Sequence, residues 1–112
     1  AQIGSAKRAL LKAKSRGVQL LLPEDHVTVA EVDPGAETTV VGSADFPAER
    51  IGVDIGPRSI ATFAIALARA RTVFWNGPMG IFEIPAFAEG TRAVAHAIAN
   101  TVAHTLAHHL PP

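Results

Sequence analysis

Asn76, Gly77, Pro78, Gly80 and Glu83 crowd into one short loop, and between them they carry the groups that a nucleotide site needs. The two glycines let backbone amides approach a ligand with no Cβ in the way. Pro78 stiffens the loop and so reduces the entropy lost on binding. Asn76 carries an amide that can donate to a phosphate oxygen. Glu83 offers a carboxylate that can accept from ribose hydroxyls. The same residues would also serve a plain β–α turn, in which Glu83 merely favours the N-terminus of the next helix. Residue chemistry alone leaves the two readings level.

The elements that carry this loop follow from the pattern around it. Thr72-Val73-Phe74-Trp75 reads as a strand, with Trp75 in the core, that stops where Gly77 and Pro78 cannot continue it. A helical pattern resumes from about Glu89 to Leu106, with Val94, Ile98, Val102 and Leu106 spaced by four. A strand, a glycine-rich loop and then a helix is the order in which α/β proteins build nucleotide sites, beyond the carboxyl ends of the strands. Upstream, Arg50 to Pro57 alternates apolar residues with Gly and Asp, and Gly56-Pro57 opens a helix with Pro at its first position. That helix shows an apolar face of Ile60, Phe63, Ala64 and Leu67 and ends near Ala70. Asp54 reads as a buried acid that holds the Gly56-Pro57 turn.

Toward the N-terminus, Ser5 to Arg16 is rich in helix formers and Gly17 stands at a C-cap position. Its basic residues Lys7, Arg8, Lys12, Lys14 and Arg16 read as a solvated helix face rather than a phosphate patch. Val18 to Leu22 reads as a buried strand stopped by Pro23. His26 to Val32 and Glu37 to Val41 are β-prone with one wet face, reversed at Asp33-Pro34-Gly35. Helix followed by strand, twice over, implies an α/β domain: a three-layer, Rossmann-like parallel sheet, incomplete at this length.

Composition narrows the function classes. The 112 residues are 48% hydrophobic and 18% charged, as a globular domain or a piece of one requires. Ten basic residues balance ten acidic ones, so no field favours nucleic acid or a membrane surface. The absence of cysteine excludes disulfides and thiolate metal sites and fits a cytoplasmic protein. No apolar run reaches the length of a membrane span. The chain starts at Ala1 rather than Met, which fits either processing or a fragment of a longer protein.

Thr72 to Thr91 (TVFWNGPMGIFEIPAFAEGT) closely resembles the signature near the C-terminal end of phosphoglycerate kinases, WNGPxGxFE…FAxGT. Gly17 to Val27 (GVQLLLPEDHV) and Ile51 to Ser59 (IGVDIGPRS) are similar to two further segments of that family, the second with Ser59 where the family has Thr. The resemblance covers most of the chain and implies part of the C-terminal, nucleotide-binding domain over residues 1–112, with a tail from about residue 107 that matches nothing in the family. It implies that Gly52 and Val53 line the adenine pocket, that Glu83 binds ribose, and that Gly77, Pro78, Gly80 and Ile81 form the adjoining wall. It also implies ATP or ADP as ligand, with Mg2+ held through the nucleotide, and phosphoryl transfer between 1,3-bisphosphoglycerate and ADP.

The departures from the family bear on activity. The family's N-terminal domain with its basic phosphoglycerate patch, its GxxxAxxK segment and its GGGDT loop have no counterpart in this sequence. No catalytic residue is therefore assigned, and 3-phosphoglycerate is expected to bind only with the missing N-terminal domain. A truncated or frame-shifted reading frame would account for the tail. His104 and His108, at i and i+4, have a zinc-ligand spacing but lack a third ligand, and they read as an exposed helix end rather than a metal site. Two other classes stay open: a non-catalytic nucleotide-binding module that pairs with a partner chain, and a functionless truncated remnant.

Overall fold

The computed structural model describes residues 2–109, with side chains described through Val102. Helix α1 (Gln2–Ser15) forms where the helix formers concentrate, and none of its residues is buried. It closes on Gly17, whose φ of 68° lies in the left-handed region. The Gly17 amide donates to the Lys14 carbonyl at 3.3 Å and the Val18 amide to the Ala13 carbonyl at 2.9 Å, the paired closure that a left-handed residue permits. Gly17→Ala is expected to cost about 1 kcal/mol of helix stability at that end. Carbon chemical shifts of residues 10–16 should then move toward random-coil values; unchanged shifts would count against this role for the glycine.

The sheet has three strands, β1 (Asp25–Val29), β2 (Thr39–Gly42) and β3 (Ile51–Ile55), in the order β2-β1-β3. Both pairings are antiparallel. The β1–β2 reversal is built as its residues suggest: the Gly35 amide donates to Asp33 Oδ1 at 2.9 Å and the Ala36 amide to the Asp33 carbonyl at 3.0 Å. Arg50 fastens the start of β3 to β1, donating from Nη2 to the Thr28 carbonyl at 2.8 Å and from Nε to Thr28 Oγ1 at 3.1 Å.

Gly56 then turns the chain into α2 (Pro57–Ala68), with Pro57 in its first turn, and α3 (Glu89–His109) follows the loop and a 3-10 turn at Pro85–Phe87. Helix α2 packs on α3 and on β1, and α3 touches β3 and the 3-10 turn. The Thr101 hydroxyl lies 3.1 Å from the Leu67 carbonyl of α2 and 2.9 Å from the Ala97 carbonyl of its own helix. Val29, Val53 and Phe87 form the buried centre, with Val27, Ala36, Ile81 and Ile84 packed around it.

The α/β class and the three α-helices agree with the sequence, but the sheet among the described residues is antiparallel rather than parallel. Val18–Leu22 and Thr72–Trp75, read as parallel strands, run without a ladder. Val18 is 59% exposed and Phe74 91%. Trp75, read as core, is also exposed. The cause is physical: a parallel strand is held by a sequence-distant partner strand, and no strand among the described residues pairs with either segment. In the sheet that does form, β1–β2 is a local reversal, while β3 crosses to the other edge of β1. Leu106, His104 and His108 lie outside the residues whose side chains are described. No helix among the described residues is long and apolar enough to cross a membrane.

Candidate functional site

The site begins with a defect in the β1–β3 ladder. His26 pairs with Ile55 and Val27 with Asp54, but Thr28 pairs with Gly52, which leaves Val53 as an extra, unpaired residue. Such a bulge bends the strand and frees a backbone group from the ladder. Here the freed group is used: the Val53 carbonyl accepts the Ile81 amide at 2.9 Å. The Val53 side chain is meanwhile buried in the core.

That bond draws the glycine loop flat against β3. A Cβ on Gly80 would run into the Val53 carbonyl oxygen and lie 2.8 Å from the Asp54 Cα, so only glycine allows the approach. Gly77 has φ 92°, again in the left-handed region. The loop's other end is held from α3, where Thr91 Oγ1 accepts the Met79 amide at 3.0 Å. Val53, Gly80 and Ile81 are thus in direct backbone contact. Gly52 adjoins them on the exposed side, with the Phe46 ring 3.4 Å from where its Cβ would be. Asn76, Gly77, Pro78 and Glu83 are exposed, and neither Asn76 nor Glu83 makes a side-chain hydrogen bond among the described residues.

Two buried aspartates set the frame behind the loop, each capping a helix from a strand. Gly56 has no side chain to cap α2. Asp25 supplies the cap instead: its Oδ2 accepts the Arg58 amide at 2.9 Å, and its Oδ1 accepts the Ser59 amide at 2.8 Å and the Ser59 hydroxyl at 2.7 Å. Ser59 Oγ in turn accepts the Glu24 and Asp25 amides, at 2.9 and 3.1 Å. A Cβ on Gly56 would overlap the Asp25 carboxylate, which explains the glycine. Burial acts to raise the Asp25 pKa. Hydrogen bonds from Ser59 and Arg58, with the Arg58 charge, outweigh it and hold the carboxyl below its ordinary value.

Asp54 does the corresponding work for α3. Its Oδ2 accepts the Gly90 amide at 2.8 Å and its Oδ1 the Ile55 amide at 2.8 Å. A Cβ on Gly90 would overlap Asp54 Oδ1. Asp54 therefore does not hold the Gly56-Pro57 turn, as its place in the sequence suggested; Asp25 does, because α2 starts over β1. Burial prevails at Asp54 over the Gly90 and Ile55 amides, with Glu89 adding repulsion and Arg92 opposing it, and its pKa is raised.

Sequence reasoning missed Asp25, Ser59 and Thr91, whose partners lie far along the chain. The one available signal was Gly56, a glycine at the N-cap of α2 where Ser, Thr or Asp is preferred. A groove of about 860 Å³ between α2 and α3, lined by Ile60, Ala64, Arg92 and His96 among others, contains none of the loop residues. Among the described residues no group of three or more His, Asp or Glu is placed to hold a metal ion.

The profile of the family described as "Phosphoglycerate kinase" matches residues 1–108. A phosphoglycerate kinase of Dictyoglomus turgidum is 51% identical over 92 residues, covering 82% of this chain and 23% of its own length. That of Acidobacterium capsulatum is 54% identical over 93 residues, with the same coverages. Among solved structures, phosphoglycerate kinase from Coxiella burnetii superposes with a TM-score of 0.83 at 39% identity, over 87% of this chain and 25% of that one. The enzyme from Pyrococcus horikoshii gives 0.61 at 26% identity, over 86% of this chain and 26% of that one. The chain thus spans about a quarter of the length of the relatives it matches.

Proposed function

Because the chain belongs to the phosphoglycerate kinase family, we propose that it holds the adenine and ribose side of a nucleotide site. The parent reaction moves a phosphoryl group between 1,3-bisphosphoglycerate and ADP, giving 3-phosphoglycerate and ATP. Such transfer depends on positioning and electrostatic stabilisation rather than covalent help from the protein. Gly52 offers the exposed floor for adenine, while Val53, expected beside it, is buried beneath and supports that floor from the core; Gly77, Pro78, Gly80 and Ile81 offer its wall. Glu83 is free to accept from the ribose hydroxyls, and Asn76 to donate to a phosphate oxygen. The observation that carries this reading is the Val53–Ile81 backbone bond at 2.9 Å, which joins the two halves of that surface.

The residues present do not fit direct ligation of Mg2+. Asp25 and Asp54 give both carboxylate oxygens to backbone amides or Ser59, and Glu83 stands alone. Magnesium belongs with the phosphates of the nucleotide, and no step by these residues runs through it. The chain by itself is accordingly a binding surface, without kinase turnover. Exposed Leu20, Leu22 and Phe74 favour a second reading, a non-catalytic module paired with another chain. Size-exclusion chromatography would then show a larger species.

Calorimetric titration with adenosine, AMP and ADP tests the proposal. With no phosphate-binding loop present, the three affinities should be weak and agree within a factor of about three, under about 0.7 kcal/mol. A strong preference for ADP over adenosine would overturn the reading.

A further inference from the structure

We propose that Thr91 is a positioning residue for the nucleotide half-site: its hydroxyl fixes the Met79–Ile81 backbone from the first turn of α3. This inference rests on the nucleotide reading above and adds to it a residue that touches no ligand.

Three bonds form a closed frame around the loop. The Ile81 amide donates to the Val53 carbonyl on β3 at 2.9 Å. The Gly90 amide at the start of α3 donates to Asp54 Oδ2 at 2.8 Å, which fastens α3 to the same strand. The Met79 amide donates to Thr91 Oγ1 at 3.0 Å, which closes the frame from α3 back to the loop. Gly80 lies between the two loop contacts, pressed on the Val53 carbonyl and the Asp54 backbone. Phe82 extends the hold, its amide donating to the Gly80 carbonyl at 2.9 Å.

The frame matters because the rest of the loop has little support. Gly77 and Pro78 are exposed, and nothing lies within 4 Å of where a Gly77 Cβ would stand. Without the Thr91 hydroxyl, the segment entering Gly80 is held from the Ile81 side alone. A wall that must be ordered on binding loses affinity relative to one already in place. Helix α3 is a suitable reference, since it is packed on α2 and anchored to β3 independently of Thr91.

The test uses Thr91→Val, which keeps the shape and removes the acceptor, and Thr91→Ser, which keeps the acceptor. Two quantities are read on the full chain: amide hydrogen exchange at Met79 and Ile81 without ligand, and adenosine affinity by titration. Thr91→Val should speed Met79 exchange by about tenfold or more, the loss of about one hydrogen bond. It should weaken adenosine by about three- to tenfold through the cost of ordering the loop. Thr91→Ser should restore both. Met79 exchange unchanged in Thr91→Val would overturn the inference, and so would faster exchange with full adenosine affinity. If the unsubstituted chain binds no adenosine, the nucleotide reading falls and the positioning role with it. Binding by the unsubstituted chain with equal binding by Thr91→Val sinks the positioning role alone.

Discussion

Asp25→Ala is expected to unfold most of the chain. The residue is 2% exposed and its carboxylate accepts the Arg58 amide, the Ser59 amide and the Ser59 hydroxyl, so its removal orphans two amides at the helix start and leaves the Ser59 hydroxyl only the Asp25 carbonyl, at 3.1 Å. Each buried donor left without a partner costs about 1–3 kcal/mol, and the set together about 4 kcal/mol or more. A small domain has only about 5–15 kcal/mol in total. Among the described residues its buried centre is built on Val29, Val53 and Phe87, so a loss of this size is a large share of the total. Urea denaturation followed by circular dichroism should show the transition lost or moved to very low denaturant. A midpoint within error of the parent would contradict the capping role.

The same carboxylate sets a pH dependence whose sign can be stated. Folding lowers the Asp25 pKa, so its contribution is present above the ordinary carboxylate range. That contribution is lost as pH falls through the lowered folded value. Asp54 works in the opposite sense: folding raises its pKa, so its contribution is present at low pH and is lost as pH rises through the raised value. Stability measured from pH 7 downward should therefore carry two opposed components, and Asp25→Asn should remove the acid-side loss while leaving the other.

Gly80→Ala is expected to abolish adenosine binding. The added Cβ meets the Val53 carbonyl oxygen and the Asp54 Cα, both backbone atoms of β3 that cannot rotate away. The loop must lift, and the Ile81–Val53 bond breaks with it. Overpacking of this kind costs about 1–3 kcal/mol, and the lost bond adds about 1 kcal/mol. A weak half-site would fall below detection. Gly77→Ala is the control: it strains a left-handed residue but meets no neighbour, so binding should weaken without vanishing. Full binding by Gly80→Ala would mean that the ligand does not use this wall.

What the sequence revealed depends on how local each signal was. Periodicity placed α2 and α3 closely, because a helix closes its hydrogen bonds within four residues. Asp33-Pro34-Gly35 announced its turn for the same reason. The apolar runs at Val18–Leu22 and Thr72–Trp75 spoke only of residues suited to a buried strand. Burial needs a neighbour, and no local pattern shows whether one is there. The bulge at Val53 was hidden too, since alternation through Gly52-Val53-Asp54 looks unbroken until the register with β1 is known. The roles of Asp25 and Asp54 were exchanged by proximity: Asp54 is near Gly56-Pro57 in sequence, whereas Asp25 is near it in space. The turn of the loop itself was legible from its two glycines and proline. The anchor at Thr91 was not, because nothing local links it to Met79.

The most direct test is an NMR titration of the isotopically labelled chain with magnesium-ADP, following the amides of Gly52, Gly77, Gly80, Ile81 and Glu83. A preformed adenine and ribose surface predicts shifts confined to these residues and their immediate neighbours, saturating at a single weak affinity. Well-dispersed peaks that do not move at any concentration of nucleotide would contradict it.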